Sequence, residues 1–199
     1  MLSLLCLGDS YTIGEQVLPD ENFPAQWVRL LREQGVDIAD ATLVAKTGWT
    51  TDELQSGIAH AQLLPPYNMV TLLIGVNNQY RGRPLSEYKS QFSALLQQAI
   101  HFSLGGARTV AVLSIPDWGA TPYAAGRDRA KITQEIDLYN TTAESICREN
   151  GVAFISITSG TREAASDSSL ITGDGLHPSG KEYHRWALKL LDWYAGIAG

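Results

Sequence analysis

Two short stretches at opposite ends of the chain carry side chains that could do chemistry together. The first is Gly8-Asp9-Ser10-Tyr11-Thr12-Ile13-Gly14, directly after an apolar run, and the second is Asp174-Gly175-Leu176-His177-Pro178. A serine hydroxyl is a weak nucleophile until a base removes its proton, and imidazole can take that proton and return it to a leaving group. A carboxylate beside the ring fixes its tautomer and stabilises the imidazolium. The Asp174–His177 spacing, bent by Gly175 and Pro178, lets one turn bring the carboxylate to the ring. Each stretch also has a plainer reading. Ser10 could cap the turn that follows it, and Asp174 with His177 could form a local salt bridge or a helix cap. The other histidines, His60, His101 and His184, fall in or beside helical patterns without such a carboxylate and are expected at the surface.

Two further loops offer donors for a developing negative charge. In Lys46-Thr47-Gly48-Trp49-Thr50-Thr51, glycine lets the backbone approach a ligand closely, so the Gly48 N–H could serve an oxyanion. In Gly75-Val76-Asn77-Asn78-Gln79-Tyr80, the Asn77 amide is a neutral donor with no titration of its own. Taken singly, these are a turn glycine and a turn-forming Asn pair. Their joint placement is more specific, because nucleophile, donors and base all fall just after strands or on the last long loop. That is the part list for acyl transfer.

The elements that must position them alternate along the chain. Short Val/Ile/Leu-rich runs predict strands at Leu2–Leu7, Ile38–Val44, Met69–Ile74, Thr109–Leu113 and Val152–Ile157. Helical spacing links Phe23, Trp27, Leu30 and Leu31, then Tyr88 through Ala99, then Ile132 through Cys147 and finally Tyr183 through Tyr194. Ser179-Gly180-Lys181-Glu182 reads as a capping box for the last helix, and a weaker helix is predicted over Thr51–Leu64. This alternation predicts an α/β fold, a parallel sheet with helices on both faces, in one domain over residues 1–199. Ligands of such sheets bind outside the carboxyl ends of the strands.

Composition narrows the partners. The chain is 44% hydrophobic and 18% charged, an ordinary globular mix, and its net charge of -6 argues against nucleic acid. No stretch approaches the roughly 20 apolar residues needed to span a bilayer. Met1–Leu7 lacks the positive start of an export signal, so a cytoplasmic location is expected. Cys6 and Cys147 read as buried apolar residues, and no Cys/His cluster or H-E-x-x-H motif suggests a metal. Asn140-Thr141-Thr142 matches a glycosylation sequon but lies inside a predicted helix.

The chain resembles the SGNH hydrolases, a branch of the GDSL esterases. Gly8-Asp9-Ser10 matches their first block, Gly48 the second, Gly75-Val76-Asn77 the third and Asp174-Gly175-Leu176-His177-Pro178 the last, in the family's order over almost the whole chain. The resemblance implies a flavodoxin-like three-layer α/β/α sandwich around a five-stranded parallel sheet. It also implies hydrolysis of an acyl ester with neither metal nor cofactor. On matching positions it makes Ser10 the nucleophile, His177 the acid/base and Asp174 the group that orients it. Ser10 N–H, Gly48 N–H and the Asn77 side chain would form the oxyanion hole. One departure stands in the third block, where Asn78 replaces the usual Asp, and it bears on the hydrogen bonding of that loop. The Gly-x-Ser-x-Gly elbow of the α/β-hydrolase superfamily is absent.

Tyr11, Trp49, Tyr80, Trp118 and Tyr123 are the candidate substrate-binding residues; the last two lie in a Pro-, Gly- and aromatic-rich loop after the fourth strand. That loop could equally plug the sheet edge or meet another subunit. The substrate expected is a small-molecule, lipid or sugar ester, as for a lysophospholipase-like GDSL esterase. A long acyl chain would need a deep apolar slot, whereas removal of O-acetyl groups from carbohydrate would suit an open aromatic cleft. A rival of another class is a non-catalytic flavodoxin-like binding domain. Against it stand the absence of G-x-x-x-x-G-K-[ST] and G-x-G-x-x-G and the close spacing of Asp174 and His177.

Overall fold

Leu4–Asp9 forms β1, buried at every residue because strands pair with it on both edges and helices cover both faces. The remaining strands of the computed structural model, which describes residues 1–198, are β2 (Thr42–Lys46), β3 (Met69–Leu73), β4 (Val110–Leu113) and β5 (Ala153–Ile155). All pair in parallel in the order β2-β1-β3-β4-β5. This is the flavodoxin-like order, and its direction reverses between β1 and β3, where the strand ends open a crevice.

The helices are α1 (Ser10–Ile13), α2 (Phe23–Glu33), α3 (Thr51–His60), α4 (Val76–Tyr80), α5 (Leu85–Phe102), α6 (Arg129–Glu149), α7 (Thr158–Arg162) and α8 (Gly180–Ala198). The long helices form two layers: α2 packs on α8, while α5 packs between α3 and α6. Phe23 meets Tyr183 and Trp186, with ring centroids 6.5 and 6.0 Å away, and Trp27 meets Trp193 at 5.9 Å. Aromatic pairs of this kind add about 0.5–1.5 kcal/mol each beyond the area they bury, so the chain's last helix is firmly seated beneath the loop that carries His177. Cys6 and Cys147 are buried free thiols, and among the described residues no helix is long and apolar enough to cross a membrane.

Several boundaries move from their predicted places. Ile38 joins Leu2 only by an isolated bridge, and β2 proper begins at Thr42 and runs to Lys46, which pairs with Asp9. β1 likewise runs on through Gly8 and Asp9, so Ser10 follows the strand with no intervening loop. β5 stops at Ile155 because the Ser114 hydroxyl takes the Ile157 N–H at 2.8 Å in place of a backbone carbonyl. α3 ends at His60, where Ala61 leaves the helical region for φ of -75° and ψ of 136°. The capping box on α8 is half made. Ser179 Oγ lies 3.5 Å from the Glu182 N–H, while the Glu182 carboxylate turns to Trp186 Nε1 and Arg185 instead.

Candidate active site

Asp9, not Ser10, caps α1: its Oδ1 accepts the Tyr11 N–H at 3.0 Å. The Ser10 hydroxyl is therefore free of the capping duty a serine commonly has at that place, and it faces His177. Ser10 Oγ and His177 Nε2 are 3.1 Å apart, and His177 Nδ1 lies 2.6 Å from Asp174 Oδ2. Ser10 and His177 are both buried, at 4% and 7% exposure. The second Asp174 oxygen accepts the N–H groups of Leu176 and His177 at 2.8 and 3.0 Å, and Thr172 Oγ1 donates to it at 2.8 Å. Partial burial pushes the Asp174 carboxyl up, but the bonds from the His177 ring, the two N–H groups and Thr172 outweigh it and hold the group at about 2. It is thus ionised wherever the imidazole needs it. The remaining histidines are peripheral: His60 and His101 are exposed, and His184 is half-buried with its Nδ1 3.0 Å from Gln26 Oε1.

Gly48 and Asn77 reach the same place from the neighbouring strand ends. Gly48 has φ of +81°, the left-handed region open to glycine, and lines the cavity over Ser10. Gly75 caps α4 at φ of +129°, and a Cβ there would stand 2.5 Å from the Tyr88 ring, so position and packing both require glycine. The turn delivers Asn77, whose Nδ2 donates to Trp49 O at 3.1 Å and to Asp9 Oδ2 at 3.2 Å. Burial pushes the Asp9 carboxyl up to about 7 in spite of bonds from Tyr11 and Asn77. Asn78 is fully buried; its Oδ1 accepts the Thr51 N–H at 3.1 Å and its Nδ2 donates to Thr51 Oγ1 at 2.7 Å.

The cavity above Ser10 is about 190 Å³ and open to solvent on one side. Tyr11, Tyr80, Trp118 and Tyr123 form its aromatic walls. Trp118 Nε1 donates to Gln79 Oε1 at 2.6 Å, and the Tyr80 and Tyr123 hydroxyls are 3.1 Å apart. The loop that bears Trp118 is anchored from below by Asp117, whose carboxylate accepts from Gly119 N–H, Thr133 Oγ1 and Arg162 Nε. Trp49 takes no part in this wall. Its ring lies on α3, so close to Gly57 that a Cβ there would be 2.2 Å from it, and it borders a separate surface depression. Thr47, Val76 and Leu176 also line the cavity. Chain position was the only signal for them, each standing next to a motif residue.

A hydroxyl, an imidazole and a carboxylate in line at the switch point of a 2-1-3-4-5 sheet place the protein among the hydrolases of flavodoxin-like α/β fold. The GDSL-like lipase/acylhydrolase family matches residues 6–185, and the chain belongs to that family of ester-hydrolysing enzymes. The reading as a non-catalytic binding domain is set aside by this membership. No curated protein matches the chain in sequence. Among solved structures, TesA is 16% identical, with a TM-score of 0.77 over 98% of this chain and 99% of its own. A lipase/acylhydrolase from Enterococcus faecalis is 17% identical, with a TM-score of 0.78 over 98% and 96%. Axe2, an acetylxylan esterase from Geobacillus stearothermophilus, is 18% identical, with a TM-score of 0.75 over 96% and 93%. At these identities the likeness is one of fold.

Proposed function

We propose that this enzyme cleaves a carboxylic ester through an acyl intermediate on Ser10. The observation that carries the reading is the unbroken line Ser10 Oγ–His177 Nε2–Asp174 Oδ2, at 3.1 and 2.6 Å. Ser10 Oγ attacks the carbonyl carbon while its proton passes to His177 Nε2, and the ring, held at Nδ1 by Asp174, carries the resulting charge. The carbonyl oxygen becomes an oxyanion that takes hydrogen bonds from the N–H groups of Ser10 and Gly48 and from Asn77 Nδ2. A donor of this kind is worth about 3–4 kcal/mol of barrier. Asn77 holds two long bonds at rest, and a full oxyanion is a stronger acceptor than the Trp49 carbonyl. One Asn77 hydrogen therefore turns to the oxyanion as charge develops. Collapse expels the alcohol, which leaves with the proton from His177. Water then attacks the acyl-serine, gives its proton to the same nitrogen and releases the acid, with the proton returned to Ser10.

The chemistry of the cavity favours a short acyl group. It holds about 190 Å³, and Tyr80 and Tyr123, each about two-fifths exposed, stand among the residues that line it. Exposed aromatic rings beside a short acyl site suit stacking against a sugar, so removal of O-acetyl groups from carbohydrate is the second reading. Both are tested together. Fluorophosphonate should label Ser10, and Ser10→Ala should abolish turnover of p-nitrophenyl acetate while leaving the fold intact. Turnover that survives in Ser10→Ala sinks the mechanism. Within it, release of acetate from acetylated xylooligosaccharide in preference to p-nitrophenyl acetate selects the carbohydrate reading. Rising rates with acyl length to octanoate and beyond reject it.

A further inference from the structure

Arg81 follows α4 directly and reaches across to the segment between β2 and α3. Its Nη2 donates to the Gly48 carbonyl at 2.6 Å, and its Nη1 lies 3.2 Å from Glu53 Oε1. Glu53 is itself fixed, because its other oxygen accepts the Thr50 N–H at 2.9 Å as part of the cap on α3. Gly48 has little else to hold it. A Cβ built on Gly48 would meet only one heavy atom within 4 Å beyond its chain neighbours, and that atom is Arg81 Nη2, at 3.6 Å. A left-handed glycine without packing around it can rotate its flanking peptides at small cost. Here the Gly48–Trp49 peptide is pinned at both ends, its carbonyl by Arg81 and its N–H by the Lys46 carbonyl at 3.2 Å.

We propose that Arg81 is a positioning residue for acyl transfer: by gripping the Gly48 carbonyl it keeps the Gly48 N–H aimed into the cavity over Ser10. The inference rests on the reading of Gly48 as an oxyanion donor. Arg81 is not among the residues that line the cavity, so its effect on the reaction passes through Gly48. Its ion pair with Glu53 is about two-fifths exposed on either side, and exposed pairs add little to stability. The grip on Gly48 is then its main consequence.

Misplacing a catalytic group by about 1 Å can cost roughly 100-fold, and losing an oxyanion donor outright roughly 100- to 1000-fold. Arg81→Gln should therefore lower kcat on p-nitrophenyl acetate by about 10- to 100-fold, with KM within about twofold, since the donor acts on the transition state. Its phosphonylation by a fluorophosphonate, which expels fluoride and leaves a tetrahedral phosphonyl group on Ser10 with its P=O oxygen where the oxyanion would lie, should slow in parallel. Arg81→Lys should recover part of the loss, because an ammonium can reach the Gly48 carbonyl without the planar fork that also meets Glu53. Unchanged kcat in Arg81→Gln overturns the proposal, as does a rise in KM alone. A loss that tracks a lowered Tm and that Arg81→Lys does not relieve overturns it too. If Arg81→Gln does not fold, Arg81→Lys decides the matter by the same kcat-only loss, smaller in size, or its absence. The esterase reading fails separately, through turnover by Ser10→Ala.

Discussion

Asp174→Asn separates the two duties of the last motif. Oδ1 of Asp174 holds the loop through three bonds, from the Leu176 and His177 N–H groups and Thr172 Oγ1, and a carbonyl oxygen can keep all three. Oδ2 holds the imidazole at 2.6 Å, and there the amide presents N–H donors instead of an acceptor. Nδ1 must then accept, which leaves the ring proton on Nε2, pointing at the Ser10 oxygen 3.1 Å away. A nitrogen already protonated cannot take the serine proton. In a serine triad of unrelated fold the same change lowers kcat about 10,000-fold. That factor corresponds to about 5.5 kcal/mol of barrier. We expect a loss of this order in kcat on p-nitrophenyl acetate, KM little changed, and a Tm shift of no more than about 4 °C, which for a chain of this size answers to roughly 1 kcal/mol. A kcat within tenfold of the parent, or undiminished labelling of Ser10 by fluorophosphonate, would refute the reasoning.

Asp9 makes stability depend on pH. Burial holds its folded-state carboxyl at about 7, whereas the unfolded chain titrates near ~4. Its stabilising share is therefore full below about pH 4 and is lost as pH rises through about 7. In Asp9→Asn that loss is absent, so denaturant melts should show the variant gaining on the parent by on the order of 2–3 kcal/mol between pH 5 and pH 8; parallel profiles would count against it. Gly57→Ala tests the seat of Trp49. The added methyl would stand 2.2 Å from the ring, so Tm should fall by overpacking of about 1–3 kcal/mol even though alanine is the better helix former by about 1 kcal/mol. A raised Tm would show that the ring yields freely.

The parts of the site that were legible in the sequence are those set by a few neighbouring residues. Ser10, Gly48 and Asn77 could be placed because each follows a short apolar strand directly, and strand ends are where a parallel sheet opens to ligand. The Asp174–His177 turn is local too, closed by bonds within six residues of chain. What was not legible depends on residues distant in sequence. The direction of the Trp49 ring is decided by Gly57, eight residues on in α3, where the missing side chain leaves a seat for it. Asp9 read as part of a motif, and only the sheet's depth shows it as a fully buried carboxylate bonded to Asn77. Ile38 looked like strand because it is apolar, yet it supplies one bridge and no ladder.

Asn77, Asn78 and Arg81 each reach from the third strand end to the second: Asn77 to the Trp49 carbonyl, Asn78 to both the N–H and the hydroxyl of Thr51, and Arg81 to the Gly48 carbonyl. Two loops that no sheet hydrogen bond joins, β2 and β3 being separated by β1, are thereby held as one body across the switch point. In this light the asparagine at position 78 is coherent. Its amide donates to Thr51 Oγ1, which leaves the threonine's own hydrogen for Gln91 Oε1 on α5. An aspartate would accept that hydrogen instead and strip Gln91 of its donor, leaving a carbonyl oxygen to be satisfied elsewhere. Asn78 and Gln91 thus belong to one arrangement. It extends the bracing of the Gly48 and Asn77 loops from α4 through α3 to α5.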